Sequence, residues 1–335
     1  MNYWQVAAGD GGRDYHKVFL KYGVMLIGMG GRGDYRKNKD DYEDYKSNDI
    51  KYFCDADESD IVVLKRPSGK LWEILAVGTI RGEYDFVPTF DDVEGWHLQH
   101  CRHVEWVKPR DNRPIPGLSR GTFRGVNQQS TIQTIRKMLE SGEPIPSSLI
   151  PEAVAELADE DLIDVLIDYG LRPKDAEEFT QTIHRIRRLV KWYERYGMRI
   201  KEHETRTFLI IPLLLTLGWT EQKLKIEWNN IDIAFFEKPY IEGSRESNEC
   251  IMILETKRLW EGLSYGTSQA ETYATKYPKC SKLIVSDGCC YKLFCREGNT
   301  WNYSAYLNLL HPKRKHPLEA NVGGAPDVFL GLMAR

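Results

Sequence analysis

Two short runs place acids and a lysine where metal-assisted hydrolysis would need them. Asn230-Ile231-Asp232-Ile233-Ala234-Phe235-Phe236 sets an acid at the start of an apolar strand pattern. Ile251-Met252-Ile253-Leu254-Glu255-Thr256-Lys257 runs four apolar residues into an acid, a polar residue and a lysine. Glu204 stands on the helix-patterned segment before them. Residues two apart in a strand share a face, so Glu255 and Lys257 project together. Charges at the end of a buried strand are costly unless they find partners. Mg²⁺ would be one, because it takes oxygen ligands and keeps several waters; Asp232, Glu255 and the backbone carbonyl of Thr256 suit it, with Mn²⁺ expected to substitute. Lys257 would then orient or help deprotonate an attacking water and offset charge on a scissile phosphate. The spacing by itself equally fits a β-hairpin whose charges form surface ion pairs.

The elements that must position these residues form a mixed pattern. From Glu202 onward the order is helix (Glu204–Leu217), strands (Lys223–Trp228, Ile231–Phe236, Ile251–Thr256), a helix carrying Gln269–Lys276, and strands (Leu283–Ser286, Cys290–Cys295). Mixed α/β is the class this predicts for the second half, and α+β for the chain as a whole. Residues 151–200 read as two helices, the first ending at Gly170 and the second spanning about 174–196. Residues 109–150, with Pro109, Pro114, Pro116, Pro144 and Pro146, read as a connector broken by a short helix, Gln133–Glu140. Residues 311–335 read as a tail.

HETRTFLIIPLLLTLGW, DIAFF, ILETKRL, Gln269-Ala270-Glu271-Thr272-Tyr273 and SDGCCYKLF, in that order, resemble the PD-(D/E)xK nuclease superfamily. The likeness is to the amino-terminal nuclease domain of type I restriction subunits and covers about residues 200–300. It implies a nuclease domain over 201–310 in which Asp232 and Glu255 ligate the metal and Lys257 is the catalytic lysine. Glu204 matches the helix acid, and Gln269 with Tyr273 matches the element beside the active site. Asn230 and Ile231 stand in place of the Pro-Asp opening of the name motif.

Residues 1–108 read as mostly β, with strands at Tyr3–Ala8, Val24–Gly28, Ile61–Leu64, Leu71–Ile80 and Val104–Val107 and a helix at Arg13–Tyr22. The mixed-charge stretch 32–51 reads as a solvated helix or loop. Tyr3-Trp4-Gln5-Val6-Ala7-Ala8-Gly9, Tyr22-Gly23-Val24-Met25-Leu26-Ile27-Gly28 and strand 71–80 resemble the PUA-like barrels, which include the EVE and YTH domains. That resemblance implies a β-barrel reading a modified or flipped base, which needs stacking surfaces and hydrogen bonds to its edge. Trp4, Tyr84 and Trp96 are candidate walls, and Asp10, Gln99 and His100 candidate polar contacts. Trp72 and Trp106, in strands, read as core, and Asp10 reads equally as a cap for the helix at 13–22. His97, His100, Cys101 and His103 match no standard zinc spacing.

On the helix at 174–196, His184, Arg188, Lys191 and Arg195 recur at helical spacing, with Arg199 beyond them. They form either a solvated face or a phosphate-binding stripe. Any nucleic-acid contact must use such a local patch, because 46 Lys and Arg against 49 Asp and Glu give a net charge of −3. Seven cysteines with no CxxC pair, and no apolar leader, indicate a reduced, cytoplasmic protein. The leading expectation is a modification-dependent, type IV-like restriction endonuclease that hydrolyses modified phage DNA and dimerises for double-strand cleavage. An RNA-targeting nuclease and a sensor with an inactive nuclease fold are the alternatives.

Overall fold

The computed structural model describes residues 1–10, 12–43, 48–68, 71–111, 114–244, 249–264 and 266–334. Part of the charged stretch 32–51, namely 44–47, and Gly11 of the Gly9–Gly12 turn lie outside these. The chain divides into two compact units, Met1–Ala153 and Val154–Arg335. Each carries a mixed sheet with helices, so the α/β expectation holds at that level.

In the first unit the strands are β1 (Tyr3–Ala7), β2 (Val24–Ile27), β3 (Ile61–Ser68), β4 (Leu71–Phe86), β5 (His100–Lys108), β6 (Phe123–Gly125) and β7 (Glu143–Pro144). The helices are α1 (His16–Tyr22), α2 (Asp49–Asp55) and α3 (Gln129–Ser141). The sheet order is β2-β5-β4-β3-β1-β6 with β7 beside β5; β1 and β3 are parallel and the other pairs antiparallel. Among the described residues β2 and β6 do not pair, so the strand path is open where a closed barrel was expected.

The connector expected over 109–150 is instead part of this unit. Phe123–Gly125 pairs with β1, and Ile115, Val126, Ile135 and Met138 join Tyr3, Ile61, Val63, Ile74 and Val77 in one core. The stretch 32–51 likewise runs into α2, whose Ile50 and Phe53 are buried.

In the second unit, α4 (Asp159–Asp168) and α5 (Pro173–Arg195) precede α6 (Glu202–Thr205), a π-helical turn (Arg206–Ile210) and α7 (Ile211–Thr216). The sheet holds β8 (Leu224–Trp228), β9 (Ile231–Phe236), β10 (Cys250–Thr256), β11 (Lys282–Ser286), β12 (Cys290–Glu297) and β13 (Thr300–Asn308) in the order β13-β12-β11-β10-β9-β8. Among the described residues β10 and β11 are the one parallel strand pair of this sheet, and the crossover between them carries α8 (Gly266–Ala274), packed on both. β9, β10 and β11 are nearly continuous apolar runs, as strands covered on both faces must be. The expected tail contains α9 (Ala325–Leu332), whose Val328, Phe329 and Leu332 are fully buried in the core with Phe179 and Leu293. Among the described residues no helix is long and apolar enough to cross a membrane.

Candidate active site

The β8–β9 hairpin turns on two residues, Asn229 (φ 52°) and Asn230 (φ 68°), with Trp228 paired to Ile231. Two consecutive left-handed residues make the turn type whose twist matches a hairpin, and asparagine tolerates that region better than most side chains. Proline is confined near φ −65° and is barred from it. The turn delivers Asp232 as the second residue of β9.

Asp232 is held on both carboxylate oxygens. The Thr256 N–H donates to Oδ2 at 2.6 Å, and the Arg206 guanidinium lies 3.3 Å from Oδ1. Thr256, expected to offer its carbonyl, contributes its N–H here. Arg206 is 5% exposed, and it also donates to the Asp232 carbonyl at 3.4 Å and to Glu227 at 3.3 Å. It opens the π-helical turn, a geometry that recurs at functional sites.

Glu255 and Lys257 do share a face: Lys257 Nζ donates to Glu255 Oε1 at 2.9 Å. Glu255 is only 3% exposed. Burial raises its pKa, the Lys257 hydrogen bond opposes that, and the charges of Asp232 and Glu202 reinforce it. Burial would lower the Lys257 pKa, but the hydrogen bond and charge of Glu255, with Glu202 and Asp232, raise it overall. Gly266, at the start of α8, leaves room for this lysine; a Cβ there would stand 3.0 Å from Lys257 Cε and 2.6 Å from Val285 Cγ1.

The helix acid differs from expectation. Glu204 Oε2 accepts the Lys201 N–H at 2.8 Å and closes the start of α6. The acid whose charge acts on Glu255 and Lys257 is Glu202. Two residues apart on a helix means about 200° around its axis, so only one of the pair can face the sheet. Gln269 and Tyr273 occupy one face of α8, with Gln269 Nε2 donating to the Tyr273 hydroxyl at 3.4 Å; Gln269 is exposed.

A hard cation fits the residues present. Glu255 Oε2 is buried with no hydrogen-bond partner among the described residues. An orphaned carboxylate oxygen is expensive in a protein interior, and a divalent ion shared with Asp232 would satisfy it. Asp232, Glu255 and Glu202 supply three acids against Arg206 and Lys257, leaving a net negative charge to attract the ion.

The six candidate base contacts of the first unit separate into three groups. Asp10 and Trp96 line a cavity of about 160 Å³ together with Ala8, Gly9, Arg13 and Leu98. Arg13 lies 3.8 Å above the Trp96 ring and donates to Asp10 Oδ2 at 2.6 Å, so Asp10 braces this arginine. It does not cap α1, which starts at His16 without a side-chain cap. Gly9 (φ 132°) is required, since a Cβ would fall 2.1 Å from the Arg13 carbonyl oxygen. A cavity of about 150 Å³ holds one six-membered ring.

Trp4 belongs to the packing instead. Its Nε1 donates to the fully buried Asp60 at 2.8 Å, and its ring stacks on Phe123 at 4.9 Å. Tyr84 and His100 form a separate buried network in which Tyr84 donates to Asp34 at 3.1 Å and lies 2.9 Å from His100 Nδ1. Burial takes the His100 pKa down to about 4, which Asp34 only partly offsets. Gln99 lies beside that histidine in sequence, half-buried, and its carbonyl accepts the Val87 N–H at 2.8 Å. Trp106 is core, as expected, and Trp72 covers the buried Lys65 Nζ at 3.9 Å.

Arg188, Lys191, Arg195 and Arg199 are all exposed, on α5 and just beyond it. His184 is committed to Asp159, 2.9 Å away. Among the described residues no group of three or more His, Cys, Asp or Glu side chains is arranged around a common metal position. The acid-and-lysine cluster instead combines carboxylates with cations.

Arg206, Glu202, Arg13 and Gly266 were not singled out from the sequence. The run Glu202-His203-Glu204-Thr205-Arg206 contains the signal, because 202 and 206 are one turn apart and share a helix face. Residues 4–136 match the family model of a domain of unknown function, DUF8426. None of the curated proteins compared with the chain matches it. The family match therefore falls on the first unit, and Asp232, Glu255 and Lys257 lie outside it.

Proposed function

We propose that the chain is a Mg²⁺-dependent, modification-dependent endonuclease, with hydrolysis in the second unit and base reading in the first. The observation that carries this reading is the orphaned, buried Glu255 Oε2 beside Asp232, with the Lys257 ammonium on the other oxygen. Asp232 and Glu255 would hold the ion, with Glu202 adding negative charge. When bound, such an ion polarises a phosphoryl oxygen and acidifies water. Lys257, fixed by Glu255 and by the space at Gly266, orients a water and offsets negative charge on the phosphate. Arg206 keeps the Asp232 carboxylate in place through both its side chain and its carbonyl. In the first unit, the Asp10–Arg13–Trp96 cavity has the size of one ring and is lined by a carboxylate, a guanidinium and an indole.

The test is cleavage of modified and plain DNA, and of RNA, by the wild type and by Asp232→Ala and Glu255→Ala. Each variant is expected to lose about 10²- to 10³-fold in rate while retaining nucleic-acid binding. Cleavage by both variants at the wild-type rate would overturn the site. Cleavage of RNA in preference to every DNA tested would replace the substrate, and absence of Mg²⁺ or Mn²⁺ binding by calorimetry would leave a nuclease fold used for binding alone.

A further inference from the structure

The cations of α5 fall into two sets. Arg187 is committed to Asp159 at 2.6 and 2.9 Å and to the Leu309 carbonyl at 2.6 Å, and Arg185 donates to the Phe208 carbonyl at 3.2 Å. Arg188, Lys191 and Arg195, with Arg199 beyond the helix, are exposed, and none has a carboxylate within ion-pair distance among the described residues. At about 100° per residue, Arg188, Lys191 and Arg195 fall within about 60° of one another, and Glu194 borders this stripe about 60° from Lys191.

Aromatic rings border this stripe on one side. Trp192 is 47% exposed and Tyr196, the residue that ends α5, is 60% exposed. Their ring centroids are 5.2 Å apart, and the Arg195 guanidinium lies 5.8 Å from the Tyr196 ring. The buried side of the helix, with Ile183, Ile186, Val190 and Tyr193, is spent on the core; Trp192 meets it edge-on at the Tyr193 ring, with centroids 5.5 Å apart, and still keeps nearly half its surface exposed.

We propose that this face of α5 binds single-stranded nucleic acid, with Trp192 and Tyr196 stacking on unpaired bases and the four cations following the backbone. Exposed rings need free base faces, which a duplex keeps stacked inside itself; a single strand presents them to any aromatic surface. The unpaired cations supply the charge complementarity, and four phosphate contacts on a single strand correspond to a salt slope of about −0.7 each. A membrane surface fits less well, because an interfacial helix needs a free apolar side, and that of α5 is buried. The surface would bind whether or not the acidic site cleaves.

The experiment measures binding by fluorescence anisotropy, using the full chain in EDTA so that cleavage plays no part. The probes are a short single-stranded DNA, a single-stranded RNA of the same sequence, and the corresponding DNA duplex. The expected result is that Trp192→Ala with Tyr196→Ala weakens single-strand binding about tenfold or more and leaves the duplex almost unaffected. Trp192→Phe with Tyr196→Phe should restore most of the loss. Changing Arg188, Lys191 and Arg195 together to Gln should flatten the slope of log K against log salt by about 2. The DNA and RNA arms show which strand the face prefers. Unchanged single-strand binding by the alanine variant would overturn the proposal, as would an equal loss on the duplex. It would also fall if the same variant instead abolished self-association in sedimentation or binding to anionic vesicles while oligonucleotide binding persisted.

Discussion

At the scale of single residues, Arg206 carries the most specific commitment. It is buried, it reaches Asp232 through side chain and carbonyl together, and its planar fork is what allows both contacts from one position. Lysine keeps the charge and loses the fork. Arg206→Lys is therefore expected to fold with little loss of thermal stability yet cleave about 10- to 100-fold more slowly at saturating Mg²⁺, the size of effect typical for groups that orient a metal ligand. Single-turnover cleavage beside a melting curve checks it, and an unchanged rate would show that Asp232 is held well enough by Thr256 alone. Among the six candidate base contacts, only Asp10 and Trp96 line the cavity, since Trp4, Tyr84 and His100 are committed to buried partners.

At the scale of elements, the two-residue turn between β8 and β9 sets where Asp232 begins. Asn230 sits at φ 68°, where a β-branched side chain is strained. Asn230→Val is expected to cost about 1–2 kcal/mol, read as a lowered denaturation midpoint, while Asn230→Gly should leave the midpoint nearly unchanged. The elements nearest the acids were the most legible in the sequence. β9, β10 and β11 are apolar runs bounded by polar turns, and period and length alone identify such strands. What was not legible depended on docking. Glu202 and Glu204 are equally good helix acids until α6 lies on the sheet, and then the charge of Glu202 acts on Glu255 while Glu204 caps its own helix. The proline-rich stretch 109–150 suggested a connector because prolines mark only local breaks. Its Phe123–Gly125 strand exists through pairing with β1, more than a hundred residues away in sequence. α9 was hidden for a similar reason: eight residues are too few for periodicity to stand out, and its helix is fixed by burial of Val328 and Phe329.

At the scale of the whole molecule, each unit has its own core, one running from Leu157 to Leu332 and another from Tyr3 to Met138. The acids of the second unit come with Lys257 and Arg206 already beside them. These two built-in counterions act as placeholders: each offsets part of the repulsion between the carboxylates without any metal. Folding need not wait for magnesium, and the polypeptide is expected to melt cooperatively in chelator, gaining about 2.7 kcal/mol when the ion is raised to a hundredfold excess over its Kd. A chain that loses its melting transition in EDTA would contradict this. Under the proposed function, such a chain would persist complete and dormant, and the supply of free divalent ion would become the switch that arms it.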